Sequence, residues 1–131
     1  MKVGDKTEVN YKVQPSDLAK TLSLDPQDEF PEVFATSRMV ALMELAAARL
    51  MKPLLSDGEL SVGVNVNVNH LAATLNNVEV RAVATFLGVE GKLYKFSVAL
   101  FDPAGEAGNG THTRAVVKTE RLVSGAAKRA G

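Results

Sequence analysis

One run limits what this sequence can fold into. Residues 37–51 (SRMVALMELAAARLM) make the single strongly helical segment, with Ser37 or Thr36 as its cap and Pro53 to stop it or kink its end. The interior is Ala, Leu and Met, and apolar side chains occur nearly all the way round. A helix of that composition has little to offer water, so it is expected to be buried on most sides. A lone helix needs cover from other elements, and the rest of the chain must supply it.

Downstream the periodicity is that of strands. Val62, Val64, Val66 and Val68 alternate with Gly63, Asn65, Asn67 and Asn69, sending the valines to one face and the asparagines to a polar outer face. Val78, Val80, Ala82, Ala84 and Phe86 line one face of a following strand, and Tyr94, Phe96, Val98 and Leu100 line the next. Gly88 to Gly91 and Asp102 to Gly105 have turn chemistry, and a last strand covers 110–121. Upstream, residues 7–13 alternate as a first strand. Residues 15–29, polar and broken by Pro15 and Pro26, read as a long loop of the kind that forms a lid. Residues 1–5 and 123–131 read as frayed ends of a single domain spanning 1–131. Strand, loop, helix and four further strands predict an α+β hotdog fold, one long buried helix wrapped by a curved antiparallel sheet. Edge strands in such a sheet favour pairing across a two-fold axis, so a homodimer is expected.

Composition narrows the chemistry. The 15 basic and 15 acidic residues cancel, which argues against a diffuse nucleic-acid-binding surface. With no cysteine there is no disulfide, thiolate metal site or Cys nucleophile, and two histidines are too few for a His-rich metal site. The N-terminal residues carry charge where a secretion signal needs an apolar run, and no stretch approaches a membrane span. No membrane partner and a cytoplasmic location are the expectations.

Glu44 is the most informative single residue. A carboxylate in the middle of an apolar helix either faces a polar cavity or forms an ion pair, here with Arg38, Arg49 or Arg114, because unpaired burial costs several kcal/mol. His70 ends the Asn/Val strand and by parity shares the helix-facing side with the valines, unless a bulge reverses it. Thr36 reads as a helix cap. If it opens the helix, eight residues of rise separate it from Glu44 by about 12 Å, so the two would flank a substrate instead of bonding to each other. The free N–H groups of the helix N-terminus could stabilise an oxyanion. His112 and Arg114 alternate on the last strand, with His112 read as structural or exposed.

The segments Phe30 to Thr36 (FPEVFAT), Met39-Val40, Leu42-Met43-Glu44, His70 with Ala72-Ala73-Thr74, Val89-Glu90-Gly91 and Gly110 to Val116 together resemble the fluoroacetyl-CoA thioesterase family over about residues 30–117. The resemblance implies a dimeric hotdog enzyme that hydrolyses acyl-CoA thioesters with a Thr, a Glu and a His, which fall on Thr36, Glu44 and His70. It implies a lid phenylalanine at Phe30 and a glycine near the thioester at Gly63. Phe34 and Arg114 join Phe30 and Gly63 as expected substrate-binding residues. Gln27 stands where the family has an aromatic, and Arg38 where an apolar residue is expected. Both departures are assigned to the acyl-pocket region and argue against assuming a fluorinated substrate.

The expected function is therefore hydrolysis of a short or modest acyl-CoA to the acid and free CoA, with Glu44 as nucleophile or general base. His70 would protonate the leaving thiolate or orient the attacking group, and Thr36 would hold the carbonyl or the water. No metal and no cofactor is expected beyond the CoA of the substrate. The alternatives are a hotdog enoyl-CoA hydratase or dehydratase, which leaves the thioester whole, and a non-catalytic acyl-CoA-binding dimer in which Glu44 is only ion-paired.

Overall fold

The computed structural model of the chain describes every residue, 1–131. Strand β1 (Lys6–Lys12) leads through a long loop to helix α1 (Thr36–Met51), followed by β2 (Glu59–His70), β3 (Glu79–Glu90), β4 (Leu93–Asp102), β5 (Gly105–Lys118) and helix α2 (Thr119–Arg129). The strands form one antiparallel sheet in the order β1-β3-β4-β5-β2, so β1 and β2 are its edges.

Helix α1 lies across one face of this sheet and touches all five strands. Its Met39, Leu42, Met43, Ala46, Ala47 and Met51 are buried against Ala82, Ala84 and Phe86 of β3 and Phe96, Val98 and Leu100 of β4. The alanines on β3 leave room for the helix, and the methionines fill the irregular gap between helix and curved sheet. Each large side chain buried here contributes roughly 1.5–3 kcal/mol from apolar burial.

The fold matches the sequence reading in class and departs from it in four places. First, α1 is not covered all round: Arg38, Ala41, Leu45 and Arg49 form an exposed stripe, because one sheet covers one side of a helix. Second, β2 carries a bulge at Val64. Gly63 pairs with Arg114 but Asn65 pairs with Thr113, so the side-chain alternation reverses there. Val66, Val68 and His70 face the helix side as expected. Before the bulge it is Gly63 and Ser61 that face it, not Val62.

Third, the C-terminal residues read as frayed form α2, with Glu120 in the first turn and Lys128 and Arg129 in the last, each on the favourable end of the helix dipole. The final strand accordingly ends at Lys118, and the Thr119 N–H bonds to the Gly58 carbonyl at 3.0 Å. Fourth, residues 1–5 are tied down. Gly4 N–H bonds to the Phe86 carbonyl and Lys2 N–H to the Asp5 carboxylate.

Candidate functional site

The candidate side chains gather in two clusters on the helix side of β2. The first lies where α1 begins and β2 ends. Helix α1 starts at Thr36 with Ala35 as its N-cap residue and no side-chain cap, so Thr36 is not the cap read from the sequence. Its hydroxyl is instead 2.8 Å from Nδ1 of His70. The other ring nitrogen, Nε2, is buried and bonds to no protein group. Burial lowers the His70 pKa, partly offset by the Ala72 backbone, so the neutral ring is favoured near pH 7.

Three loop segments build the walls here. The Asp17 carbonyl accepts the Ala35 N–H, the Thr74 carbonyl accepts the Phe34 N–H, and Leu18 bridges to Phe34. A bulge in β5 leaves Ala107 as an extra residue opposite β4, and its carbonyl accepts the N–H groups of both Leu71 and Ala72. The result is a cavity of about 440 Å³ lined by Ala19, Leu22, Phe30, Pro31, Val33, Phe34, Thr36, His70 and Leu71 to Ala73. Phe30 stands half-exposed at its rim while Phe34 is fully buried. Sequence reasoning missed Ala19 and Leu22, which come from the loop before α1 with Ala19 N–H bonded to the Val33 carbonyl, and Leu71, which is placed by the bulge at Ala107.

The second cluster surrounds Glu44. Of the three arginines considered, the structure pairs Glu44 with Arg114, whose Nη1 donates to Oε1 at 3.2 Å. The Glu44 side chain is 39% exposed and that of Arg114 7%, so the carboxylate looks out from the rim while the cation is buried beneath it. Arg114 also donates to the Ser61 hydroxyl and carbonyl and to Nε2 of His112. Burial lowers its pKa and Glu44 opposes the shift; the guanidinium stays charged. Gly63 abuts this pair, and a Cβ there would overlap Glu44 Oε1. His112, read as structural or exposed, is 1% exposed and belongs to this network. Its alternation with Arg114 on one strand face was the signal available in the sequence.

One chain therefore brings Thr36 to His70 and brings Glu44 to Gly63 and Arg114, but does not join the two groups. Along α1 they are separated by about 12 Å of helical rise. Arg38 is a correction of another kind. It does not enter the cavity beside Thr36; its Nε donates at 2.8 Å to Asp17, a fully buried carboxylate that also accepts from Tyr11 and the Gln14 N–H. Gln27 likewise stays in the loop, its N–H bonded to Asp25, and does not line the cavity. No helix is long and apolar enough to cross a membrane.

Residues 13–120 match the family described as fluoroacetyl-CoA-specific thioesterase. The chain is 40% identical over 124 residues to a fluoroacetyl-CoA thioesterase of Streptantibioticus cattleyicolor, covering 93% of this chain and 89% of that protein. A solved structure of the fluoroacetyl-CoA enzyme FlK, a point mutant in complex with acetyl-CoA, superposes with a TM-score of 0.94 at 37% identity over the whole of both chains. A hot-dog-like protein from Thermanaerovibrio acidaminovorans superposes with a TM-score of 0.84 at 29% identity, covering 98% of this chain and 93% of the other.

Proposed function

This chain belongs to the fluoroacetyl-CoA-specific thioesterase family and is an acyl-CoA thioesterase, and from that premise we propose that it hydrolyses short acyl-CoA thioesters at a site shared between two subunits. The observation that carries this reading is the split just described: a hydroxyl–imidazole pair at the His70 end of β2 and a carboxylate beside Gly63, both on the helix side of the same strand.

Strand β2 is a sheet edge whose outer side no strand covers, and it exposes Leu60, Val64 and Val66 at 53%, 54% and 40%. An uncovered apolar edge of this length favours pairing with a second copy. Antiparallel pairing about a two-fold axis lays the His70 end of one β2 alongside the Gly63 segment of its partner. Thr36 and His70 then face the partner subunit's Glu44, which supplies the group each half lacks.

The acyl group enters the apolar cavity under Phe30, and CoA remains outside. Glu44 drives the attack, either with its own oxygen or by taking a proton from water whose oxygen then bonds to the carbonyl carbon. In the tautomer where Thr36 O–H donates to Nδ1, the ring proton sits on Nε2, free to hydrogen-bond the departing sulfur as the C–S bond breaks; the thiolate takes its proton from water or from the carboxyl that Glu44 forms on accepting one, and the ring stays neutral. The uncapped N-terminus of α1 adds N–H groups for the carbonyl oxygen. The cavity lining is largely apolar, as an acyl group requires, and neither Arg38 nor Gln27 is part of it. Fluoroacetyl-CoA thus belongs among the substrates proposed.

The test is release of free thiol from acetyl-, propionyl- and fluoroacetyl-CoA by wild type and Glu44→Gln. The expected loss in Glu44→Gln is about 10²- to 10⁴-fold. No thiol from any of the three, or water added to an enoyl-CoA with its thioester whole, overturns the reading.

A further inference from the structure

Arg114 is held from both sides. Ser61 takes its Nε and Nη2, and Nη1 divides its two protons between Glu44 Oε1 at 3.2 Å and His112 Nε2 at 3.1 Å. An arginine has no acceptor, so Nε2 of His112 must carry the lone pair. The other nitrogen, Nδ1, lies 2.7 Å from the carbonyl oxygen of Asn65, which can only accept, so Nδ1 must carry the proton. The two partners thereby dictate one neutral tautomer. Asn65 is the first residue after the Val64 bulge, where β2 changes register against β5.

We propose that His112 is a positioning residue for thioester hydrolysis, a neutral relay that joins the Asn65 carbonyl to the Arg114 guanidinium and so fixes the direction in which Arg114 presents the Glu44 carboxylate. The inference rests on the reading of Glu44 given above. Burial lowers the His112 pKa, with the Asn65 carbonyl opposing and Arg114 reinforcing, which accords with a ring kept neutral. Without the ring nitrogen, one Nη1 proton is left in a buried site with no acceptor, and the guanidinium turns to find one. Glu44 turns with it, because Arg114 is its sole hydrogen-bond partner. A carboxamide also carries a donor and an acceptor on one carbon, so Gln can take the place of the imidazole edge in this relay.

The test compares His112→Phe, His112→Gln and Glu44→Gln in steady-state turnover. His112→Phe is expected to lower kcat on the order of 10- to 100-fold through misplacement of the carboxylate, with KM little changed. His112→Gln is expected to recover most of that loss. In an Arg114→Met background His112→Phe should cost nothing further, since the relay acts only through Arg114. Near-wild-type kcat in His112→Phe, or equal losses with and without Arg114, overturns the proposal. If Glu44→Gln is inactive while His112→Phe keeps near-wild-type kcat, the relay alone fails. If Glu44→Gln keeps wild-type turnover, the reading of Glu44 fails and the relay with it. Should His112→Phe not fold, nitrogen NMR of ¹⁵N-histidine-labelled wild type still decides: the Nδ1–H tautomer is expected, and an Nε2–H tautomer or an imidazolium refutes the relay.

Discussion

Gly63→Ala should separate activity from stability. A Cβ on Gly63 would overlap Oε1 of Glu44 and sit 3.4 Å from its Cδ and 3.2 Å from Cε1 of His112. Backbone does not block the methyl, so the movable carboxylate must give way, by about 1 Å if ordinary contact distances are restored. The Arg114 bond to Oε1, already long at 3.2 Å, does not survive such a move. A displacement of about 1 Å at a reacting group can cost about 10²-fold in rate, or about 2.7 kcal/mol of barrier. Stability should change far less. The half-exposed Glu44 swings toward water while the buried Arg114 loses one acceptor, at a cost of about 1–2 kcal/mol. Ala in an extended strand offsets roughly 0.4–1 kcal/mol of this through the unfolded chain. Thiol release should thus fall about 100-fold while Tm moves by less than about 6 °C. Turnover within threefold of wild type, or a Tm lowered by about 10 °C or more, would refute the reasoning.

Asp17→Asn should cost about 2–3 kcal/mol by breaking a buried carboxylate's bond to the half-exposed Arg38. Burial alone raises the Asp17 pKa, but Tyr11, the Gln14 N–H and Arg38 outweigh it and hold the carboxyl below its ordinary 3.8. Its stabilisation is therefore complete above pH 3.8 and lost as pH falls through the lower folded pKa, so Tm measured against pH for wild type and variant should converge only in strong acid. Burial lowers the His70 pKa, and only the neutral ring accepts the Thr36 O–H, so the acid limb of kcat/KM should lie below 6.5 and be absent in His70→Gln. Val66→Lys places a charge on the exposed β2 edge and should give a monomer in sedimentation without thiol-releasing activity; a fully active monomer would count against a shared site.

How much of this could be read from residues alone differs from element to element. The apolar run of α1 and the alternation on β3 and β4 carry the fold, because helix and sheet periods are local properties of the chain. The bulge at Val64 has no comparable local mark, and the one at Ala107 has only Gly108 and Gly110 beside it, which read as a bulge or a close backbone approach. Both bulges arise from register against β5 and β4, and they decide that Gly63 faces Glu44 and that Leu71 and Ala72 wall the cavity. Thr36 shows the same limit: a hydroxyl at a helix start is read as a cap, whereas its partner lies 34 residues away on β2. The resemblance puts Arg38 in the acyl-pocket region, yet Asp17, 21 residues upstream, turns it the other way. Helix α2 escaped notice because its apolar residues are few and all exposed, leaving only end charges to favour it.

Subunit mixing tests the shared site most directly. Glu44→Ala and His70→Ala, each expected to be inactive alone, are unfolded together, refolded and assayed for thiol release. Random pairing makes half the dimers mixed, and each mixed dimer has one intact site out of two, so about a quarter of wild-type activity is expected. No recovery, with mixed dimers demonstrated by mass, would mean that Thr36, His70 and Glu44 act within one chain and would contradict the split site.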